Sequence, residues 1–258
     1  MRVIRRRQIF KNQNMDGKIV LSGSAQTASG GGVRKKCLGI FTHRERWGLS
    51  ARGWLFLLLV LAMAAAAMVF NIQPFLAPTQ RVDSRILVVE GWVHPFAIRA
   101  AVREFQELHC EKAYTTGGPV VGAGPYFNDF NTSASVGAEL LVKVGLSNEL
   151  VQMVPSHVSG RDRTYSSALA LREYFKTNGV TVKSFNVLTE DVHARRTWLL
   201  FQRAFGEETS VGIISTPSPE YDAKHWWRYS EGVREILGES IAWVYAKFLF
   251  HPDAPSQQ

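Results

Sequence analysis

RILVVEGWVHPFAIRAAVREFQELHCEKAYTTGG, residues 85–118, is the stretch whose reading decides the fold. Residues 85–90 form a short, β-branched apolar run that stops at Gly91, as a strand buried on both faces does. Ile98, Val102, Phe105 and Leu108 then recur at helical spacing. Residues 112–116 read as a second strand that ends on Gly117 and Gly118. The unit is therefore strand, helix, strand.

The alternation continues to the C-terminus. Val136, Leu140, Leu141 and Val144 mark a helix that ends near Gly145. Residues 151–154 are a third strand, followed by a helix through Ala168, Leu171 and Phe175. Residues 184–189 (SFNVLT) are a fourth strand, with a helix from His193 to Phe205 after it. Residues 210–214 are a fifth strand. Trp226, Tyr229, Val233, Ile236 and Leu237 then share one face of a long C-terminal helix. Such alternation predicts the α/β class: a Rossmann-like, mostly parallel sheet with helices on both faces, over residues 80–250.

Composition narrows the partners. With 46% apolar and 20% charged residues among 258, wholly disordered, collagenous and coiled-coil chains are excluded. Two cysteines, Cys37 and Cys110, rule out a disulfide scaffold. Residues 1–52 hold twelve Lys/Arg and two Asp/Glu, a net of +10, whereas residues 53–258 carry a net of −2. The high pI thus belongs to the leading segment, and no nucleic-acid partner is expected of the folded part.

Between Gly53 and Gln80 there is no charged residue, and residues 54–70 are unbroken hydrocarbon. That is close to the ~20 helical residues that cross a bilayer core. A transmembrane helix is expected over residues 53–73, with Trp47 and Trp54 at the interface and Pro74 and Pro78 ending it. Arg44, Arg46 and Arg52 precede the span, and Arg81 and Arg85 come after it. The positive-inside rule therefore puts the N-terminus in the cytoplasm and the domain outside. A leader of fifty residues is too long for an ordinary cleaved signal peptide, so a signal anchor is expected. Residues 1–52 read as a disordered basic tail, with Arg5, Arg6 and Arg7 and a polar stretch over 22–32. Those charges either bind anionic headgroups or only set topology.

In open parallel sheets ligands bind beyond the carboxyl ends of the strands. Those ends hold Glu90, Gly91 and Trp92; Thr116, Gly117 and Gly118; Arg161, Asp162, Arg163 and Thr164; and Thr189, Glu190, Asp191, His193, Arg195 and Arg196. Helix N-termini, arginines and paired glycines at one edge suit a phosphate or carboxylate. Arg163 and Arg196 are expected to hold the anion. His193 is expected to transfer protons, kept neutral by its helix N-terminus, with Glu90 as partner. The competing readings are structural: turn glycines needing positive φ at Gly91, Gly117 and Gly118, an N-cap at Thr164, and a solvated face for Arg195 and Arg196. There is no P-loop, G-x-G-x-x-G, G-x-S-x-G or H-E-x-x-H motif and no metal-ligand spacing. The sequence names no cofactor and no metal.

These elements resemble the SanA/YdcF/ElyC-like family, a bacterial group containing membrane-anchored envelope proteins. The resemblance rests on residues 86–91 (ILVVEG), 115–118 (TTGG), Glu139, Arg163 and Thr164 with Ala168, the T-x-x-x-H-x-x-R element over 189–196, Trp226 and Glu239. Glu90 replaces the usual small residue or leucine, and Ser167 replaces an expected asparagine. The resemblance implies a Rossmann-like fold and a bacterial inner-membrane location. It adds Glu139 to the ligand-binding set of Gly91, Thr116, Gly117, Gly118, Arg163, Thr164, Thr189 and Arg196. It also implies an envelope role, with one branch linked to S-adenosylmethionine and others to peptidoglycan or lipid-carrier precursors. Three functions stand as expectations. The first is an extracytoplasmic protein binding or processing an anionic, phosphate-bearing precursor, small or lipid-linked. The second is a binder of a nucleotide-type cofactor, and the third a noncatalytic envelope scaffold using the tryptophan-rich helix.

Overall fold

The computed structural model describes residues 41–43, 47–120, 130–158 and 162–252. The tail features at residues 5–7 and 22–32 lie outside the described residues, as do Arg161 and most of the loop after Gly118. The chain divides into two compact units, residues 1–59 and 60–258. In the first, β1 (Phe41–His43) and β2 (Trp47–Leu49) pair antiparallel. Helix α1 (Ala51–Leu76) comes next and runs on into the second unit.

Helix α1 has 26 residues, about 39 Å at ~1.5 Å per residue, and is long and apolar enough to cross a membrane. It continues through Pro74, where the sequence predicts its end. The ring removes one backbone donor, and the last turns gain tertiary partners instead. The Trp226 indole donates to the Val69 carbonyl at 3.0 Å, and the Arg195 guanidinium donates to the Phe75 carbonyl at 2.6 Å. Leu76 is buried in a cluster with Val192, Tyr221, Trp226 and Ile236. The end of the apolar helix is thus built into the folded unit, and that unit begins well upstream of residue 80.

The domain core is β3 (Ile86–Glu90), α2 (Pro95–Glu107), β4 (Lys112–Gly117), α3 (Ser133–Val144), β5 (Val151–Pro155), α4 (Arg163–Thr177), β6 (Ser184–Glu190), α5 (Ala194–Phe205), β7 (Ser210–Thr216) and α6 (Ser230–Val244). All five predicted strands are present, and every neighbouring pair is parallel. Side chains alternate across the sheet. Leu87, Val89 and Leu188 pack with α2 and α3, while Val88, Phe185 and Val187 pack with α4 and α5. At the edge, Gln80 pairs with Ile213 of β7 and caps its open hydrogen bonds.

The long C-terminal helix is broken. Residues 223–228 make a 3₁₀ segment kinked at His225, and α6 begins at Ser230. Trp226 turns into the cluster around Leu76, while Tyr229 and Leu237 remain exposed. Tertiary packing of the tryptophan overrides the continuous helical period.

Strand order β5-β4-β3-β6-β7 fixes the place of the site. The chain builds outward from β3 in one direction, then crosses back and builds outward in the other. The loops after β3 and β6 diverge there and leave a crevice at the carboxyl edge.

Candidate functional site

A cleft of about 660 Å³ opens at that switch point. It is lined by the ends of β3, β4 and β6, the first turn of α4 and one face of α6. Glu90, Thr116, Gly117, Gly118, Arg163, Thr164, His193 and Arg196 from the expected set all line it. Gly91, Glu139 and Thr189 do not line it.

The cleft's polar centre is His193. A 3₁₀ turn, Asp191–His193, joins β6 to α5, so the ring precedes the α-helix instead of lying in its first turn. The turn is entered through Asp191 at φ +33, a left-handed conformation that costs a non-glycine residue about 1–3 kcal/mol. Its side chain is held on both sides, by the Gln73 amide at 2.8 Å and the Ser218 backbone N–H at 3.3 Å.

The His193 ring has partners on three sides. Its Nδ1 lies 3.0 Å from Glu239 Oε1, its Nε2 lies 3.8 Å from Glu90 Oε2, and the Trp92 ring meets it edge-on at 4.7 Å. Two carboxylates therefore stand beside the ring, and the helix N-terminus alone does not set its electrostatics. Arg196 closes the cluster. Its Nε and a terminal nitrogen donate to the two Glu239 oxygens at 2.8 and 3.0 Å, and the same terminal nitrogen lies 3.0 and 3.2 Å from the histidine nitrogens. Such a bidentate pair is the strong form of a charged hydrogen bond. Burial alone would raise the Glu239 carboxyl, but His193 and Arg196 outweigh it and bring it down to about 2. Glu90 is buried as well and accepts from Thr197 Oγ1 at 2.9 Å.

This geometry changes the expected roles. The sequence predicts that Arg196 holds an anion, but its guanidinium is committed to Glu239 and positions His193. Arg163, exposed in the first turn of α4, makes no ion pair among the described residues and is the arginine facing the cleft uncommitted. Asp162, not Thr164, is the N-cap residue of α4. It sits at φ +58 and makes no side-chain cap, which leaves the first amides of α4 to other acceptors. Thr116 Oγ1, on the buried wall between Glu90 and Gly117, has no hydrogen-bond partner among the described residues.

The remaining expected residues have structural surroundings. A Cβ on Gly91 would lie 2.0 Å from the Ser133 carbonyl, and one on Gly137 would lie 2.6 Å from the Gly91 Cα. Gly91 therefore serves close approach of the β3 turn to α3, and positive φ is not its reason. Gly117, at φ +154, does need a glycine and also abuts Ser133. Glu139 is exposed on α3 and pairs with Lys143 at 2.6 Å, away from the cleft. Thr189 is fully buried behind the strand end.

Sequence reasoning missed much of the α6 wall. Glu235 lines the cleft, and burial, followed by Glu231, Asp191 and Glu220 nearby, pushes its carboxyl up to about 7. His94 Nδ1 pairs with Glu190 at 2.9 Å, and that hydrogen bond raises the imidazole above its ordinary value. The available signal is spacing: Glu231, Glu235 and Glu239 recur every fourth residue and so share one helical face.

The fold and cleft define an α/β domain of the doubly wound kind with a membrane-length helix attached. No family model matches the chain, and no curated protein matches it.

Proposed function

We propose that this chain is a single-pass membrane protein of the SanA/YdcF/ElyC-like kind, whose cleft binds and processes a phosphate-bearing saccharide precursor of the cell envelope. The observation that carries the reading is His193 fixed between Glu239 and Glu90 at the switch point. In the tautomer that donates from Nδ1 to the ionised Glu239, Nε2 is the basic edge of the ring and faces Glu90 and the cleft. Glu239 and Arg196 position the ring, and the Glu90 carboxylate, 3.8 Å from Nε2, stabilises the imidazolium that forms when Nε2 takes a proton from the ligand.

The cleft's charge supports a divided ligand. Among the described residues, five carboxylates (Glu90, Asp162, Glu190, Glu235, Glu239) outnumber three arginines along its walls, which disfavours a polyanion. Among the described residues the anion-friendly end is Arg163, the first turn of α4, whose N-cap residue makes no side-chain cap, and the Gly117–Gly118 backbone. The carboxylate-rich end suits hydroxyl groups. A sugar bearing one phosphate matches both. A nucleotide cofactor has less support, because β4 ends in Thr116 and Gly117 where an acidic ribose partner would stand. The apolar helix is consistent with a membrane location, the resemblance favours the envelope, and the positive-inside rule favours an extracytoplasmic domain.

Native mass spectrometry of the full chain released from detergent micelles tests this. The expected result is a copurified phosphate-bearing saccharide, free or lipid-linked, that is lost in Arg163→Ala. It should be retained but left unprocessed in His193→Gln. A bound nucleoside compound, or a phosphate ligand indifferent to Arg163→Ala, would sink the reading.

A further inference from the structure

Helix α6 presents three faces at about 100° per residue. Val233, Ile236 and Trp243 pack toward the end of α1. Gly238, Glu239, Ala242 and, beyond the helix end, Ala246 line the cleft. Between these two faces runs a third: Leu237, Ile241, Val244 and Phe248, spaced four, three and four residues apart. Leu237 is 54% exposed, Ile241 72% and Phe248 60%, and Leu249 extends the patch. An apolar stripe at helical spacing, open along its length, marks a surface that some partner covers.

We infer that this stripe lies on the lipid bilayer, seated at the headgroup–acyl boundary beside the apolar helix. Continuity argues for lipid over a protein partner. The neighbouring face of α6 is locked to the end of α1, with Trp243 meeting Phe75 edge-on at 5.0 Å, and in the 3₁₀ segment just before α6 Trp227 meets Phe70 at 5.2 Å. A helix bound to the last turns of a membrane span is held within reach of that membrane. Tryptophans at the junction, with Lys247 exposed near the far end of the stripe, suit a position at the membrane interface. The far side of the stripe borders Gly238 and Tyr245 on the rim of the cleft. Docking the stripe turns that rim toward the bilayer surface, which favours the lipid-linked form of the proposed ligand. This inference rests on α1 spanning the membrane and sharpens the proposed substrate class.

The test uses the full chain with Cys37→Ser, leaving buried Cys110 in place. The protein is reconstituted in vesicles of phosphatidylethanolamine and phosphatidylglycerol carrying acyl-chain nitroxide lipids. Single cysteines are introduced as Leu61→Cys, Ile241→Cys, Phe248→Cys and Glu139→Cys and labelled with bimane. Leu61 reports the span and Glu139 a solvent face. The expected result is quenching of the Leu61, Ile241 and Phe248 labels by about twofold, as suits the ~5–10 Å depth of an interfacial helix, with the Glu139 label unchanged. If Leu61 is quenched while Ile241 and Phe248 behave like Glu139, the span stands and the inference falls. A second copy or another protein on the stripe gives that same result. If Leu61 is not quenched, the span and the inference fall together.

Discussion

Replacing Glu239 by Gln keeps the side chain's shape and removes its charge, which isolates what that carboxylate does. In the native protein it accepts from Arg196 through both oxygens and from His193 Nδ1 through one. Bringing its carboxyl from the usual 4.5 to about 2 corresponds to ~3 kcal/mol of stabilisation when ionised. Because the value is depressed in the fold, that contribution is complete above about pH 4.5 and is lost as pH falls through about 2. Removing one partner also strands the half-buried Arg196, and breaking a fully buried pair costs about 3–5 kcal/mol, so the lower end of that range applies. Urea unfolding of the full chain in detergent, followed by tryptophan fluorescence from pH 7 down to 2, should show a loss of ~3 kcal/mol for Glu239→Gln at neutral pH. The wild type should lose stability below about pH 4.5 and converge on the variant. The double variant Glu239→Gln/Arg196→Met should recover part of the loss, since no unpaired charge remains. A cost below about 1 kcal/mol, with unchanged acid sensitivity, would mean the pair is solvated and does not fix His193.

Glu235 should behave oppositely. Its carboxyl is raised in the fold, so stability falls as pH rises from about 4.5 to about 7, and Glu235→Gln should stabilise the protein above pH 7 by roughly 1 kcal/mol after solvent screening. Equal stability of variant and wild type at pH 8 would refute this. Gly137→Ala should cost about 1–2 kcal/mol despite alanine's better helix propensity, because the new Cβ would meet the Gly91 Cα at 2.6 Å. A gain in melting temperature would show that α3 can shift freely. Leu76→Ala should cost ~3 kcal/mol as a core truncation, although the residue ends a membrane-length helix. A negligible effect in chemical denaturation would separate that helix from the domain fold.

The α/β architecture is legible in the sequence because its causes are local. Short β-branched runs such as residues 86–90 bury on both faces, and the period of Ile98, Val102 and Phe105 marks the helix that covers them. Parallel strands then result from connection length, and residues 54–70 betray a bilayer-length helix by composition alone. The carboxyl ends of the predicted strands already hold Glu90, Gly117, Arg163 and His193, all of which line the cleft. Strand order needs the tertiary structure, since no local signal says on which side of β3 the chain will place β6. The end of α1 is misplaced by the sequence because Pro74 is a local breaker, whereas the bond from Trp226 to Val69 joins residues 157 positions apart. The same holds inside the cleft. The sequence shows Arg196 as a free cation four residues after Val192, and only folding brings Glu239 across from α6 to neutralise it and turn it into the support of a histidine. Charges 43 residues apart acquire their meaning from distance in space, where Coulomb energy and desolvation are decided, and not from spacing along the chain.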